Sequence, residues 1–374
     1  MKRFIHDRRV RSFVFQGLLV GTLVLVLALA ALNARQALGE RGLSSGFGFL
    51  SEKAGFAVSE SVIPFGPDNT VGRAFVAGLS NTISVSLAAI VLATLVGVVV
   101  GIARLSPNKL VARAAGVYVE SFRNTPQLIQ IIFWYALVIS LPAIRQAFAL
   151  GGGVFVSNRG LVMPWLDEPL AAGLAAAGLG AGFVAALVLV CLPGRRRWRG
   201  KAVAALLLVP VAGAVAAAAM VGLSVPELKG FNFRGGATIS PEFLALFLGL
   251  GLYIAAFIAE IVRAGLAGVD KGQVEAARAL GLSERTVLFS VRIPQALRII
   301  VPPATAQYIS LVKNSSLGVA IGYPELFNVS NSLATLTGQA IECVGIMALL
   351  YLATALGMSA LANGFNRMTL ITER

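Results

Sequence analysis

The feature that most constrains this chain is a series of apolar stretches, each long enough to cross a bilayer as a helix. Such a helix needs about 20 apolar residues. The chain is 57% hydrophobic, only 13% charged, and has a mean hydropathy of +0.82. One aqueous core cannot hold this sequence, because a soluble domain carries about 25% charged residues. We predict an all-α polytopic membrane protein with about eight transmembrane helices, at 12–32, 79–103, 126–149, 171–193, 202–222, 243–265, 302–322 and 343–365.

The distribution of Lys and Arg predicts the orientation of these helices. Cytoplasmic loops of membrane proteins are enriched in Lys and Arg. With the N-terminus inside, the cytoplasmic segments hold 22 of the 31 Lys and Arg, and the external segments hold 8. We therefore expect both termini in the cytoplasm. This asymmetry also accounts for the net charge of +14, and no pattern typical of nucleic-acid binding accompanies it.

Several classes of site are excluded by residue content. His6 is the only histidine, so a catalytic triad or a His-ligated metal site is not expected. Cys191 and Cys343 end different apolar stretches and predict neither a disulfide framework nor a thiolate metal site. A phosphate-binding loop is also missing, since the nearest string, 194–202, has the wrong glycine spacing and lacks Ser or Thr at its end. We expect no catalytic residue, no metal and no cofactor bound by this chain.

One charged segment, 266–301, lies between two apolar stretches on the predicted cytoplasmic side. Residues 273–280 are good helix formers, and Gly281 is placed to end that helix with a positive φ. Ser283 can cap a second helix, with Glu284 in its first turn. Pro294 is predicted to end this second helix, because proline has no amide hydrogen to donate. The expected product is two short helices that meet at a rigid bend.

The same segment resembles the EAA loop of ABC importer permeases. Glu275-Ala276-Ala277, three residues, Gly281, nine residues and then 291–294 match Glu-Ala-Ala-x3-Gly-x9-Ile-x-Leu-Pro, and Pro294 ends the match. The departures are Val291 for Ile and Ile293 for Leu. Similar segments of the polar amino-acid subgroup of these permeases are found at 121–135, 255–266 and 311–326. In the first of these, Thr125 is expected to cap the helix that follows it, with Pro126 in its first turn.

The resemblance implies a fold, a function and partners. The fold would be a type I ABC importer transmembrane domain in the bacterial inner membrane. The function would be import of L-amino acids from periplasm to cytoplasm. The partners would be ABC ATPase subunits, which bind ATP and Mg²⁺, a second permease subunit, expected to be an unlike chain, and a periplasmic amino-acid-binding protein. Residues 275–281 would form the helix that docks on the ATPase.

The domain organisation follows from these assignments. Residues 1–74 would hold the N-terminal tail, a first helix that is retained rather than cleaved as a signal peptide, and a periplasmic segment. Residues 75–366 would form the type-1 permease domain, interrupted by an insertion at 150–242 that supplies two extra helices. Residues 367–374 would be a cytoplasmic tail.

Polar residues inside the predicted spans are candidates for the transport path, because they are costly in a bilayer. Gln307, Ser310 and Asn314 share one helical face in the seventh span, and Lys313 lies beside them. These residues could contact substrate or form hydrogen bonds between helices. A path role or a packing role is also open for Asn81, Thr82, Ser84 and Ser86, and Glu260 and Arg263 are predicted to form an ion pair.

Two other functions are compatible with a polytopic chain. An ion-gradient-driven secondary transporter would show acids or broken helices near the middle of the membrane, or repeated halves, and this sequence shows few such acids and no repeat. A non-transporting scaffold or sensor subunit would need no continuous polar path.

Overall fold

The computed structural model describes residues 8–40, 46–166, 178, 182, 205–206, 208–213, 222–230 and 232–369. These residues are mostly helical. The helices are α1 Arg8–Glu40, α2 Val71–Ala103, α3 Lys109–Asn124, α4 Gln127–Ile139, α5 Pro241–Ala267, α6 Lys271–Ala279, α7 Glu284–Val287, α8 Ile293–Asn314, α9 Leu326–Thr337 and α10 Ala340–Thr369. Short 3₁₀ helices cover Gly48–Ser51, Ile144–Gln146 and Ser315–Ile321.

Four helical segments of the described part are long and apolar enough to cross a membrane: Val71–Ala103, Pro241–Ala267, Glu284–Ile321 and Ala340–Ala360. Each contains or overlaps a predicted span. Val14–Val26 is a shorter apolar helical segment inside α1. The predicted spans 171–193 and 202–222 lie mostly outside the described residues, and the described residues 178, 182, 205–206 and 208–213 are helical.

The prediction for the third span, 126–149, is wrong in its second half. The α4 helix ends at Ile139 and is 13 residues long. Pro142 follows closely and cannot donate a helical hydrogen bond, and the chain turns into a 3₁₀ helix and a strand. The apolar composition favours one continuous helix, but the stretch is divided between a short helix and the start of a sheet.

The prediction of an all-α fold is wrong for the parts of the insertion that flank its predicted helices. Four strands, β1 Phe148–Gly151, β2 Val154–Ser157, β3 Gly160–Met163 and β8 Ala237–Ile239, form an antiparallel sheet in the order β1-β2-β3-β8. Two small ribbons pair β4 Trp165–Leu166 with β5 Leu223–Ser224, and β6 Glu227–Lys229 with β7 Asn232–Arg234. The edge strand β8 pairs with β3, although their residues are about 75 positions apart in the chain. Local sequence patterns cannot reveal such a pairing.

The α2 and α5 helices form the central pair of the fold. Small residues allow this close approach: a Cβ on Gly97 would lie 2.7 Å from the Ile258 Cβ, and one on Gly101 would lie 2.7 Å from the Ala259 carbonyl oxygen. Around this seam lies the main apolar cluster, which also takes in residues of α4 and α8. Since the backbones approach so closely, the contact along this seam is made by close packing of small and apolar side chains.

The α9 helix was not predicted, although its signals are present in the sequence. Glu325 caps it by accepting from the amides of Phe327 and Asn328, and Gly338 follows its end with a φ of +70°. Its buried face is apolar apart from Ser330 and is spaced as a helix requires, at Leu326, Val329, Ser330 and Leu333. This face packs with residues 49–56 and α10 in a second apolar cluster.

Candidate functional site

The bend between α6 and α7 has the geometry that the sequence predicts. Gly281 has a φ of +73°, where L-residues are rarely found. Its amide donates to the Arg278 carbonyl at 2.9 Å, and the Leu282 amide donates to the Ala277 carbonyl at 3.3 Å. These two bonds form a Schellman cap, which satisfies carbonyls at the end of α6. The chain therefore turns sharply without an unsatisfied helix end.

Two contacts fix the angle on the other side of the bend. Ser283 caps α7 by accepting a hydrogen bond from the Thr286 amide at 3.2 Å, as predicted. The Arg278 guanidinium donates to both Glu284 carboxylate oxygens, at 2.7 and 3.0 Å. This forked pair joins the two helices across the bend, and it raises the pKa of Arg278 because the carboxylate accepts its hydrogen bonds.

The prediction that Pro294 ends the second helix is wrong. After α7 the chain makes a π-helical turn over Leu288–Arg292 and continues directly into α8, with Pro294 in the first turn of that helix. A π turn places one extra residue in the helix, so the proline ring avoids the carbonyl that it would meet in a regular helix. The bend is consequently continuous with the long helix that carries Gln307 to Asn314.

The outer surface of this element is exposed and partly apolar. Glu275 and Ala276 are exposed, while Ala277 is buried at 6% exposure. Leu280 at the bend is 80% exposed, and Phe289 in the π turn is 50% exposed. Large apolar side chains presented in this way on a charged segment are typical of a protein-binding surface.

The four predicted path residues of α8 do not share one environment. Ser310 and Lys313 are exposed, and Gln307 is half-buried. Asn314 instead donates to the Gln127 side-chain oxygen at 2.7 Å and joins α8 to α4. Within the described part of the chain, Lys313 forms no ion pair. Its ammonium lies on a face of α8 that nothing in the described chain covers.

The segment at 121–135 has a structural explanation that differs from the predicted one. Thr125 does not cap α4; its hydroxyl donates back to the Ser121 carbonyl at 2.8 Å. Gln130 donates to the carbonyls of Phe122 and Thr125, at 2.9 and 3.1 Å. These carbonyls lie at the end of α3 and have no helical partner. Gln130 therefore fixes the junction of α3 and α4.

The polar residues of α2 are engaged in packing. Asn81 is fully buried, donates to the Glu60 and Pro324 carbonyls at 2.9 and 2.8 Å, and accepts from the Val62 amide at 3.0 Å. Thr82 accepts from the Leu326 amide at 3.0 Å. Ser84 is half-buried, and the buried Ser86 hydroxyl has no hydrogen-bond partner among the described residues. Asn81 and Thr82 thus hold residues 60–62 and the start of α9 against α2.

A charged cluster lies where α5 approaches α6. Glu260 accepts from Arg263 at 2.5 and 3.1 Å, so the predicted ion pair is confirmed. Arg104, at the end of α2, also bonds to Glu260, and the sequence did not reveal this partner. Arg123 lies 5.1 Å from the centre of the Phe257 ring. The cluster therefore connects α2, α3 and α5 at the same end of the molecule as the bend.

Comparison with known proteins identifies the family. Residues 202–369 match the family described as binding-protein-dependent transport system inner membrane component. The chain is 41% identical to the putative amino-acid ABC transporter permease YhdX of Escherichia coli, covering 98% of this chain and 95% of YhdX. It is 40% identical to the general L-amino acid transport system permease AapQ of Rhizobium johnstonii, covering 99% and 95%. The chain belongs to the amino-acid ABC transporter permeases.

Membership of this family establishes the type I ABC importer permease fold and a multi-pass membrane protein. The chain is also 34% identical over its full length to the glutamate/glutamine/aspartate/asparagine permease BztB of Rhodobacter capsulatus, of which it covers 97%. A solved amino acid ABC transporter crystallised with histidines is similar at 22% identity and a TM-score of 0.49, covering 79% of this chain and 94% of that one. As a permease, the chain is the transmembrane subunit of an amino-acid importer. Among the described residues, no group of three His, Cys, Asp or Glu side chains could hold a metal ion.

Proposed function

We propose that this chain imports L-amino acids across a bacterial inner membrane by coupling its α8 helix to a separate ATPase. The observation that carries the proposal is the continuity of the bend with α8. The Schellman cap at Gly281 and the Arg278–Glu284 pair fix α6 against α7, and the π turn leads from α7 into α8 without a break. A displacement of α6 would therefore move the helix that carries Gln307, Ser310 and Lys313.

The ATPase would dock on the exposed side of this element. Glu275, Ala276 and the exposed Leu280 would lie in a groove of the ATPase, and Ala277 would pack inward. ATP and Mg²⁺ would be held by that partner and not by this chain. Since an ATPase can only drive transport if its closure changes the stability of the two permease states unequally, the contact must be stiff.

The substrate path would follow the uncovered face of α8. Ser310 and Lys313 are exposed on the described chain, and an ammonium exposed to lipid is costly. Gln307, Ser310 and Lys313 would therefore face a cavity shared with a second permease subunit. An α-carboxylate is the substrate group that Lys313 would attract. Asn314 would not contact the substrate, and its hydrogen bond to Gln127 would hold α8 against α4.

The topology proposed for the whole chain has eight spans with both termini in the cytoplasm. Residues 1–74 would form the N-terminal part, 75–366 the permease domain, and 367–374 the tail. The insertion 150–242 would add two spans between external strands. The second permease would be an unlike chain, and a periplasmic binding protein would deliver the amino acid from outside.

Reconstitution tests this function directly. The chain is purified with its neighbouring permease, ATPase and binding protein, and uptake is measured in liposomes against a panel of radiolabelled amino acids. We expect uptake that needs ATP and the binding protein together. Uptake that follows an ion gradient without ATP would overturn the proposal, and an intact complex with no response to amino acids would indicate a scaffold.

A variant at the bend tests the coupling. Gly281→Val should abolish the stimulation of ATP hydrolysis by loaded binding protein, because valine at positive φ costs at least about 1–2 kcal/mol and opens the bend. Gly338→Val is the matched control, since Gly338 has a φ of +70° and, like Gly281, has no atom within 4 Å of the position that a Cβ would take. Stimulated hydrolysis in an intact Gly281→Val complex would contradict the coupling role.

A further inference from the structure

Four exposed basic residues lie on or beside the strands at the two ends of the insertion. Arg145 lies in the 3₁₀ helix before β1, Arg159 in the turn between β2 and β3, Lys229 in β6 and Arg234 in β7. Lys229 is paired with Glu227 at 3.1 Å, so the surplus positive charge comes from the three arginines. The four basic residues account for half of the eight Lys and Arg that the topology places outside. The β8 strand leads through Ser240 directly into α5, whose other end leads to the bend. The basic strands and the bend therefore lie at opposite ends of a helix about 40 Å long.

Two of these arginines line a cleft. The cleft has a volume of about 390 Å³ and is formed by Ala143, Ile144, Arg145, Gln146, Asn158 and Arg159. Its floor is fixed, because Ile144 is buried and the Asn158 amide donates to the Pro142 carbonyl at 3.0 Å. A cleft with two guanidinium groups at its edge is suited to carboxylates, which arginine binds in a planar fork.

The β6–β7 ribbon packs against the sheet that carries the cleft. Arg159 donates to the Asn232 side-chain oxygen at 2.7 Å, and Phe155 stacks on Phe233 with ring centres 4.6 Å apart. These contacts fix the β6–β7 ribbon against β2. The sheet is in turn connected to α5, because β3 pairs with β8 and β8 leads into that helix.

The charge of this surface opposes the general trend of membrane proteins. Lys and Arg are retained preferentially on the cytoplasmic side. A basic surface at the external end indicates an acidic partner, because electrostatic complementarity sets encounter rates and register between proteins. An external protein must reach this end of the permease for import to occur.

We propose that the basic strands and the Arg145–Arg159 cleft form a docking surface for an acidic face of the periplasmic binding protein. The proposal rests on the proposed function, since it assumes import with a binding protein. The insertion would then enlarge the external platform, with carboxylates of the binding protein against Arg145 and Arg159.

The test measures ATP hydrolysis by the complete reconstituted transporter as the concentration of amino-acid-loaded binding protein is varied. In the Arg145→Glu variant and in the Arg145→Glu/Arg159→Glu variant, the half-saturating concentration should rise, by about fivefold for the double variant at low salt. The single variant keeps the Arg159–Asn232 bond, and thermal unfolding of each purified complex separates docking from folding of the strands. Lys53→Glu is the control for reversing one exposed charge outside the cleft, since Lys53 is 74% exposed and is paired only with the exposed Asp68 among the described residues.

The salt dependence completes the test. The difference between wild type and variant should disappear at roughly 0.5 M salt, where exposed charges are screened. Equal half-saturation in wild type and double variant, with normal uptake, would overturn the docking surface but leave the import function standing. A change in the concentration of amino acid required, at saturating binding protein, would identify the cleft as a substrate subsite and would also overturn the proposal. If no binding protein stimulates the wild-type complex, the proposed function itself fails.

Discussion

The α5 helix and the segment that contains α8 are both long and apolar enough to cross a membrane, but they have opposite surroundings. In the most apolar 18 residues of α5, 61% of residues are buried inside the chain, whereas the share is 17% in the most apolar 18 residues of Glu284–Ile321. The α5 helix is packed against glycines of α2, and the α8 helix presents Ser310 and Lys313 on an uncovered face. The difference agrees with the proposal above, in which α2 and α5 form a scaffold and α8 is the helix that responds to partners.

The largest expected effect is on the scaffold. Gly97→Val should prevent assembly or lower stability by about 3 kcal/mol, because its Cβ would lie 2.7 Å from the Ile258 Cβ and Cγ2 atoms. Yield of monodisperse protein and thermal unfolding measure this. Gly116→Val makes the same change in α3 with no atom within 4 Å, and should cost less than about 1 kcal/mol. Equal behaviour of the two variants would show that the α2–α5 seam is not tightly packed.

The second-largest effect is a loss of uptake when Lys313 on α8 is changed. Lys313→Gln should lower uptake about tenfold, which corresponds to about 1.4 kcal/mol, and leave thermal unfolding nearly unchanged because the side chain is exposed. Lys313→Arg keeps the charge and should retain most of the activity. If Lys313→Gln instead lowers stability with no loss of uptake per folded complex, α8 belongs to the scaffold as well.

The third effect is a loss of stability when the charged cluster around Glu260, which joins α2 to α5, is disrupted. Glu260→Gln removes the carboxylate that joins Arg104 to Arg263, and we expect a loss of about 1–2 kcal/mol, since these side chains are only partly exposed. Thermal unfolding at low and high salt measures it. The Arg278→Gln variant removes a more exposed pair and should change stability much less. A larger loss of stability in Arg278→Gln than in Glu260→Gln would contradict this prediction.

The smallest effect is a pH dependence at the N-terminal end of α5, where Glu60 contacts Ser240. Burial raises the pKa of the Glu60 carboxyl, a bond from Ser240 opposes this, and the nearby Glu242 adds to it. Because the folded pKa is raised, the protonated form is favoured, and its stabilisation is complete below pH 4.5 and is lost as pH rises through the folded pKa. Thermal unfolding should therefore show a weak decline with pH over this window. The Glu60→Gln variant should lack this component, and an unchanged pH profile would contradict the assignment.

Much of the bend between α6 and α7 could be predicted from sequence because its structure is local. The φ of Gly281, the Ser283 cap and the Glu260–Arg263 pair each depend on residues that lie close together in the chain. The continuation of the helix through Pro294 could not be predicted in this way. A proline can end a helix or be accommodated by a π turn before it, and local sequence does not distinguish the two. The third span was overestimated because an apolar strand and an apolar helix have the same composition.

By itself, the sequence determined that the chain belongs in a membrane and has a rigid charged bend, because apolar length and local capping follow from neighbouring residues. The tertiary structure alone decided which polar side chains are available. Asn81 and Asn314 are bonded to segments 243 and 187 positions away, while Lys313 stays uncovered. Burial and pairing between distant segments depend on how the helices cross, and no local pattern contains that information.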